Sequence, residues 1–315
     1  MDMNAKIYVA GHSGMVGSAI VRLLRKEGAS NIIVRTHAAL DLTDTAAVKN
    51  FFQEETPDHV FLAAATVGGI IANSRYPVEF LYNNLMIQNN IIRSSYDIGA
   101  KKLCFLGSSC IYPRECPQPI KEEYLLTGRL EPTNEGYALA KIAGLKLVEY
   151  YRREYAFKGV ALMPCNLYGT NDSYDLEHSH VLSALVRKFV DACDQNSGSV
   201  TVWGSGNARR EFMHVDDCAR AALFVMRSYD GDTFLNTGWG SDVTIRELAE
   251  KMKRLTGFKG KIEWDTSKPD GMPRKCLDTS RMTGLGFAPA ISLEEGITRT
   301  IDEYRKLKKD GRIKE

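Results

Sequence analysis

The sequence predicts an α/β protein in which a doubly wound parallel sheet is followed by a second, smaller α/β lobe. Two observations indicate this class. Short apolar runs bounded by Gly, Asp or Pro alternate with segments of 3.6-residue periodicity from residue 6 to residue 168, and this alternation is typical of parallel strands joined by helices. After Gly169 the alternation ends, and a polar stretch, TNDSYDLEHSH, leads into shorter elements separated by Gly and Pro.

Four units, each a strand followed by a helix, make up the predicted first lobe. The strands are KIYVAG, NIIVRT, HVFLAAA and KLCFLGSS, and the helices are GMVGSAIVRLLRKEG, TAAVKNFFQEE, NNLMIQNNIIRSSYDIG and residues 134–155. A fifth strand, GVALMPCNLYG, closes this lobe. In the second lobe, VLSALVRKFVDAC is a predicted helix, and Thr244 with Glu247 forms a capping box that begins another. We assign residues 1–168 to the first lobe and residues 169–315 mainly to the second, and expect residues 212–236 to pack back onto the first.

Composition excludes several classes of function. Lys and Arg number 41 against 39 Asp and Glu, and no run of five like charges occurs, so we expect no nucleic-acid or membrane partner. No apolar run reaches 18 residues, and MDMNAKIYVAG leads directly into a strand, which favours a cytoplasmic protein. The seven cysteines are scattered without a CxxC pair, so we expect neither disulfides nor a metal site.

Three glycines mark a candidate dinucleotide site. Gly11, Gly14 and Gly17 follow the first strand and begin the first helix. Glycines at these positions permit a tight turn and let the backbone approach a pyrophosphate, which then lies at the helix N-terminus. A turn with a purely structural role is the alternative, but the position on the first strand of a βαβ series indicates a Rossmann-type lobe.

The end of the second strand indicates which dinucleotide is bound. A carboxylate there would bind a ribose 2′-hydroxyl, whereas this chain has Arg35 and no carboxylate before Asp41. Arg35 therefore favours a 2′-phosphate, and NADPH is the predicted cofactor. The alternative for Arg35 is a solvated surface charge.

A second motif suits the reduction of a ketone. Tyr137 and Lys141 are four residues apart in a predicted helix and therefore share one face. An ammonium close to a phenol is expected to lower the phenol pKa, which suits the phenol to protonate a ketone oxygen as hydride arrives. Ser108, at the end of the fourth strand, would donate a second hydrogen bond to the same oxygen.

Together these motifs resemble the extended, sugar-nucleotide branch of the short-chain dehydrogenase/reductase superfamily. Within it, the chain is similar to the family of GDP-L-fucose synthases. The likeness is carried by GHSGMVGSAI, AAATVGGI, LGSSCIYP, EPTNEGYALAKIAG, NLYG, WGSG, RREFMHVDD and SKPDGMPRK. It implies conversion of GDP-4-keto-6-deoxy-D-mannose to GDP-L-fucose by epimerisation at C3 and C5 and then NADPH-dependent reduction at C4.

The resemblance also implies a role for Cys110. A C4 ketone acidifies the protons on C3 and C5, and inversion requires a base and an acid on opposite faces of the sugar. The family implies Cys110 as base and His180 as acid, with His178 the less favoured neighbour. Period-two alternation beyond the strand would place Cys110 on the same side as Ser108. A thiolate needs a nearby cation, for which a protonated histidine is the candidate.

The family likeness further implies contacts to cofactor and substrate. Ser13 and His37 stand where relatives commonly carry Arg, Lys188 also replaces an Arg, and Thr66 stands where Lys is frequent. The expected cofactor contacts are Gly11, Ser13, Gly14, Met15, Val16, Gly17, Arg35, His37, Asp41, Leu42, Ala63, Ala64, Leu106, Gly107, Tyr137, Lys141, Pro164, Asn166, Leu167 and His180. The expected substrate contacts are Ser108, Asn166, Lys188, Trp203, Arg210 and Asp270.

The end of the long helix predicts that the protein forms a homodimer. Relatives are homodimers, and YYRREY, at the end of the long helix, carries aromatic and charged residues suited to an interface.

The main alternative function is that of an epimerase/reductase of another GDP-4-keto sugar, such as a GDP-colitose synthase or a GDP-6-deoxy-heptose epimerase/reductase. A 4-epimerase that retains NAD would not require Cys110 with His180, and a dehydratase would carry acidic residues at Ser109 and Cys110. A cofactor-sensing binding protein predicts a degraded catalytic set, but that set is intact.

Overall fold

Strands and helices alternate through the first part of the chain, as the sequence predicts. The computed structural model describes residues 1–176, 179–268 and 270–313. The strands are β1 (Ile7–Ala10), β2 (Ile32–Ile33), β3 (His59–Leu62), β4 (Lys102–Leu106), β5 (Gly159–Pro164), β6 (Asn166–Tyr168), β7 (Ser199–Trp203), β8 (Arg209–Arg210), β9 (Phe212–His214), β10 (Leu235–Thr237), β11 (Val243–Thr244), β12 (Lys261–Asp265) and β13 (Arg274–Lys275).

Helices connect most of these strands. They are α1 (Met15–Lys26), α2 (Thr45–Glu55), α3 (Ile70–Arg75), α4 (Pro77–Asp97), α5 (Glu135–Tyr155), α6 (Val181–Asp194), α7 (Val215–Ser228), α8 (Ile245–Thr256), α9 (Ser280–Gly284) and α10 (Leu293–Lys309). Short 3₁₀ helices lie at Ser109–Ile111, Glu122–Tyr124 and Pro132–Asn134. Among the described residues, none of the helices combines the length and apolar character needed to cross a bilayer.

A six-stranded parallel sheet forms the centre of the molecule, in the order β10-β5-β4-β3-β1-β2. All residues of β1, β3, β4 and β5 are buried, because helices cover the sheet. The chain runs outward from β1 to β2 and then returns past β1 to β3. In such sheets, ligands bind at the carboxyl ends of the strands, beside this reversal. The predicted Rossmann-type sheet is confirmed.

Several element boundaries differ from those predicted. The predicted strand NIIVRT is reduced to the two residues of β2, which lies at the sheet edge and pairs only with β1. The predicted strand GVALMPCNLYG divides into β5 and β6, because Cys165 turns to donate its N–H to Thr237 O at 3.0 Å while β6 pairs with β9. Helix α4 begins at Pro77 rather than Asn83, since proline is well accommodated in the first turn of a helix.

Two apolar cores lie on either side of the candidate site. The first surrounds the six-stranded sheet and also includes residues of α7, of β10, and of the segment around Met282 and Phe287. The second contains buried residues of α6, α8, α10 and β7. The predicted capping box of α8 is present, with Glu247 N–H donating to Thr244 Oγ1 at 3.0 Å. The division of the chain at residue 168 stays a prediction.

Candidate active site

One cleft of about 1190 Å³ extends from the glycine loop, past the carboxyl ends of β1, β3, β4 and β5, to the second core. Its lining includes every site residue predicted from the sequence except Gly17. Residues of widely separated sequence segments therefore meet in a single space. Their individual roles stay predictions, but the geometry limits what each one can touch.

The glycine loop has the shape needed for a pyrophosphate. Gly11 has φ +80°, and a Cβ there would lie 2.7 Å from Cα of Ala64. A Cβ on Gly17 would lie 2.1 Å from the carbonyl oxygen of Gly11, so this glycine permits the turn to pack and does not itself line the cleft. Gly14 precedes the first residue of α1, whose first turn contains no acidic side chain. Backbone N–H groups at this helix terminus are therefore suited to an anion.

Arg35 lies at the rim of the cleft, just beyond β2. Its Nη2 donates to Oε1 of Glu55 at 2.5 Å, and its guanidinium lies 5.2 Å from the ring centre of Phe51. His37 is exposed nearby, with Nδ1 3.9 Å from Oδ1 of Asp41. Arg35 is thus held against α2 by an ion pair while it faces the position expected for a 2′-phosphate.

Cys110 reaches the cleft by a different path from the one predicted. Strand β4 ends at Leu106, and residues Ser109–Ile111 form a 3₁₀ turn. Strand alternation beyond Ser108 was therefore the wrong geometry. Instead, the Cys110 N–H donates to Ser108 Oγ at 3.3 Å, and this capping bond holds the two residues together. The thiol is only 7% exposed but lines the cleft.

Helix α5 brings Tyr137 and Lys141 to the same place. Lys141 Nζ lies 5.7 Å from the Tyr137 ring centre and 4.9 Å from that of Phe105, and it donates to Leu106 O at 2.8 Å. Lys141 is 3% exposed, and burial lowers its pKa to about 8. The ammonium is therefore fixed at the end of β4 by the carbonyl and by two aromatic faces.

The pKa of Tyr137 differs from the sequence expectation. Burial raises it above its usual value, the neighbouring Cys110 raises it further, and the Ser108 hydroxyl opposes the rise. Desolvation of the phenolate thus outweighs any stabilisation by Lys141. The phenol is protonated at neutral pH, which is the state needed to donate a proton.

His180 precedes α6 and faces the cleft from the second core. Nearby Asp172 is buried, accepting a hydrogen bond from the Ser183 hydroxyl and one from Ser173 N–H at 2.8 Å. Burial raises the pKa of Asp172, and His180 acts in the opposite direction. The other predicted histidine, His178, lies outside the described residues.

The far end of the cleft has one aromatic surface and several cations. Trp203 is 50% exposed, and the Nζ atoms of Lys188 and Lys268 each lie 5.4 Å from its ring centre. Arg210 Nη1 donates to Met272 O at 2.6 Å. Asp270 accepts hydrogen bonds from Ser205, through the N–H and the hydroxyl, at 2.7 Å each. An aromatic plane beside cations is suited to a base and its phosphates.

Sequence reasoning missed two residues that shape the cleft. Asn84 on α4 binds both backbone groups of Thr66, accepting from the N–H at 2.8 Å and donating to the O at 3.0 Å. No local signal distinguishes it, because the buried residues of α4 also include the polar Gln88 and Asn90. Lys275 on β13 lines the cleft near Cys110. It lies within the quoted segment SKPDGMPRK, but no local pattern distinguishes it.

A family model described as "NAD dependent epimerase/dehydratase family" matches residues 7–237. The chain belongs to this family. Within the NAD dependent epimerase/dehydratase family, the chain is 53% identical to GDP-L-fucose synthase 1 of Arabidopsis thaliana over 305 residues, covering 97% of this chain and 94% of that protein. It is 49% identical to the GDP-L-fucose synthase of Escherichia coli over 304 residues, covering 94% and 95%.

Proteins of lower identity to this chain carry names that specify other sugars. The GDP-L-colitose synthase of Yersinia pseudotuberculosis is 37% identical over 301 residues, covering 95% of this chain and 97% of that protein. A solved structure of a GDP-D-glycero-L-gluco-heptose synthase from Campylobacter jejuni, in the presence of NADPH, superposes with TM-score 0.89 at 37% identity. It covers 97% of this chain and 99% of that chain.

Proposed function

We propose that this protein converts GDP-4-keto-6-deoxy-D-mannose to GDP-L-fucose, by epimerisation at C3 and C5 followed by NADPH-dependent reduction of the C4 ketone. One observation carries the proposal: Cys110 lies in the same cleft as Ser108, Tyr137 and Lys141, with His180 also in its lining. Reduction alone needs no such thiol. The identities of 53% and 49% to proteins named GDP-L-fucose synthase support the choice of sugar.

The cofactor site is built from the first lobe. Gly11 and Gly14 provide the backbone cradle for a pyrophosphate, and Arg35 faces the position of a 2′-phosphate. NADPH bound there supplies the hydride that reduces C4. Lys141 and His180 line the same cleft.

Epimerisation uses Cys110 and His180. The thiolate of Cys110 removes the proton from C3 or C5, the C–H electron pair moves into the enolate, and its negative charge resides on the C4 oxygen. Hydrogen bonds from Ser108 and Tyr137 stabilise that oxygen. His180 returns a proton to the opposite face of the same carbon, so that the configuration is inverted.

Reduction follows in the same position. When C4 accepts the hydride, the developing alkoxide takes the phenolic proton of Tyr137, whose raised pKa keeps the phenol protonated until then. Ser108 donates a second hydrogen bond to the oxygen, and Lys141 holds positive charge beside the phenolate that forms. Ser108 and Tyr137 therefore serve both steps.

The nucleotide end of the substrate binds in the part of the cleft that borders the second core. Trp203 offers an aromatic face for guanine, while Lys188 and Arg210 supply positive charge for the diphosphate. Asp270, already fixed by Ser205, borders the same region. This arrangement orients the sugar toward Cys110.

A homodimer in the cytoplasm is the proposed working state. Helices α4 and α5 pack together, and they leave large apolar side chains exposed, including Val78 at 71% and Tyr82 at 60% on α4 and Tyr150 on α5. Burying such a patch against a second copy would remove it from water. Every cysteine is a free thiol, which suits a reducing compartment.

Deuterium incorporation tests the proposed function directly. The purified protein is incubated with GDP-4-keto-6-deoxy-D-mannose and NADPH in deuterated water, and nicotinamide absorbance is followed together with deuterium at C3 and C5 of the product. We expect GDP-L-fucose carrying deuterium at both carbons. The variant Cys110→Ser should lose the exchange while it retains NADPH binding. Consumption of NADPH without exchange would show that Cys110 has another role.

The same assay separates the alternative substrates. A GDP-colitose synthase would accept a 3-deoxy sugar, and a heptose enzyme would accept a seven-carbon GDP-4-keto sugar. The two named relatives of those kinds are each 37% identical to this chain, below the identities to the fucose enzymes. We expect kcat/KM to be highest for the 6-deoxy-mannose derivative, and a higher value for either alternative would reassign the substrate.

A further inference from the structure

Lys275 and Cys110 lie on different elements but face the same spaces. Lys275 is on β13, in register with Arg210 on β8, so both side chains lie on one side of that small sheet. Cys110 and Lys275 both line the main cleft. They also both line a separate cavity of about 30 Å³, together with Asn134 and Met272. Both residues therefore border the same two spaces, and their side chains interact electrostatically.

The other cleft cations already have acceptors in the protein. Lys141 donates to Leu106 O, Lys188 to Thr201 O, and Arg210 to Met272 O. Across residues 1–176, 179–268 and 270–313, the Lys275 ammonium has neither a carboxylate partner nor a hydrogen-bond acceptor. A partly buried ammonium of this kind is stabilised by whatever anion lies beside it.

The electrostatic influence is mutual. Burial raises the pKa of the Cys110 thiol, and Lys275 opposes this most strongly, ahead of the Ser108 hydroxyl and Lys141. Burial lowers the pKa of Lys275, and Cys110 is the first influence that opposes it. The other titratable groups that face this pair are Lys141, Tyr137, Arg210, Cys116, Cys165 and Glu131. Glu131 is the carboxylate that borders the small cavity, but its Oε2 pairs with Nε of Arg114 at 3.4 Å, and the described residues show no ion pair between Glu131 and Lys275.

We propose that Lys275 is the positioning residue that supplies the counter-charge for the Cys110 thiolate during epimerisation. This inference rests on the proposed function, and it replaces the protonated histidine expected from the sequence. When the thiolate takes the proton from C3 or C5, the negative charge moves to the C4 enolate. Lys275 neither gains nor loses a proton in this step. Before the proton transfer, the charge of Lys275 stabilises the Cys110 thiolate. After the transfer, the thiol is neutral and the Lys275 charge faces the sugar.

A competing role is binding of the substrate diphosphate together with Arg210. That role predicts a higher KM for the GDP-sugar when Lys275 is removed. It also predicts that the pKa of the Cys110 thiol in the free enzyme does not change. Counter-charge for Cys110 predicts the opposite pattern, because the thiol is affected before any substrate binds. The two roles therefore separate in an experiment without sugar.

The experiment measures the rate at which iodoacetamide alkylates Cys110, identified by peptide mass spectrometry, from about pH 6 to about pH 10. Wild type is compared with Lys275→Met, Lys275→Gln and Lys275→Arg. Lys268→Met is the matched control, because it removes an ammonium beside Trp203 instead of one beside Cys110. Circular dichroism and NADPH binding establish that each variant is folded.

We expect the midpoint of the alkylation profile to move upward by about one pH unit or more in the Met and Gln variants, so that alkylation below the midpoint is about tenfold slower. Lys275→Arg should restore the wild-type midpoint, and Lys268→Met should not move it. An unchanged midpoint in folded Lys275→Met or Lys275→Gln would overturn the proposal. This result does not depend on the sugar, so it remains decisive even if the proposed function fails.

Activity provides a second readout. Lys275→Met should lose deuterium exchange at C3 and C5 by at least about tenfold in kcat. Reduction of a 4-keto sugar that already has the product configuration at C3 and C5 should fall much less. A rise in KM for both substrates with normal exchange at saturation would instead assign Lys275 to the diphosphate.

Discussion

The guanidinium of Arg35 is ion-paired with Glu55, with 2.5 Å between Nη2 and Oε1. The pair joins the end of β2 to the last residue of α2 and leaves Arg35 at the rim of the cleft. A 2′-phosphate bound at this rim would have to share or replace the carboxylate. Glu55 therefore competes with the cofactor for the same guanidinium.

Removing Arg35 should lower the affinity for NADPH, whereas removing the charge of Glu55 should raise it. Arg35→Ala is expected to raise the KM for NADPH by about tenfold or more and leave the KM for NADH nearly unchanged, because a charge-assisted hydrogen bond to a phosphate is lost. Glu55→Gln should lower the KM for NADPH, because the carboxylate that competes for the Arg35 guanidinium is absent. Steady-state kinetics with both cofactors measure these KM values. A higher KM for NADPH in Glu55→Gln would contradict the prediction.

The glycine loop makes a prediction about folding. Gly17→Ala places a Cβ 2.1 Å from the Gly11 oxygen, so the loop must shift and we expect a loss of about 2 kcal/mol or more in the free energy of unfolding. Gly14→Ala is the matched control, because its Cβ would lie 3.4 Å from the same oxygen. Urea denaturation of the two variants measures the difference. Equal destabilisation would show that the close approach at Gly17 is not limiting.

The sequence predicts those parts of the fold that follow from local periodicity. Buried runs such as His59–Leu62 and Lys102–Leu106 identify parallel strands, and the four-residue spacing of Tyr137 and Lys141 places both on one helix face. The alternation of strands and helices further predicts that the strands are parallel and lie in one sheet. These features depend on residues that are close in the chain.

The remainder depends on residues that are distant in the chain. Lys275 approaches Cys110 because β13 pairs with β8 and the residues after it bond to Gln118 and Ile120, and two-residue strands have no periodicity to detect. The direction of the Tyr137 pKa likewise follows from burial by several elements, which the Tyr-Lys spacing does not contain. The turn at Ser109–Ile111 arises from the Ser108 cap and carries no apolar alternation.

The exposed face of α4 predicts the oligomeric state. Tyr82 is 60% exposed and Val78, one helical turn earlier, is 71% exposed. If this face binds a second copy, Tyr82→Asp should bury an unpaired charge at the interface and dissociate the dimer. Light scattering should then give the mass of one chain for the variant and of two for wild type. Asn50→Asp, at an exposed position on α2, changes the charge by the same single unit elsewhere and should leave the dimer intact.

Lys141 makes a prediction about the pH dependence of stability. Its pKa is lowered from 10.5 to about 8 by burial, so between these values the unfolded chain holds a proton that the folded chain has released. More protons on the unfolded state means that stability rises with pH across this window. Below about pH 8 the folded protein carries the desolvation cost, which corresponds to about 3 kcal/mol.

Lys141→Met removes this titration. The free energy of unfolding of wild type, relative to Lys141→Met, should therefore increase between about pH 8 and about pH 10. Urea denaturation at several pH values measures the difference, in which most other titrating groups cancel. The variant should also lose reductase activity by about a hundredfold, because the cation beside Tyr137 is absent. A relative stability that falls with pH would mean that Lys141 is held as an ammonium by a stronger partner than Leu106 O, and the pKa would then lie above its usual value.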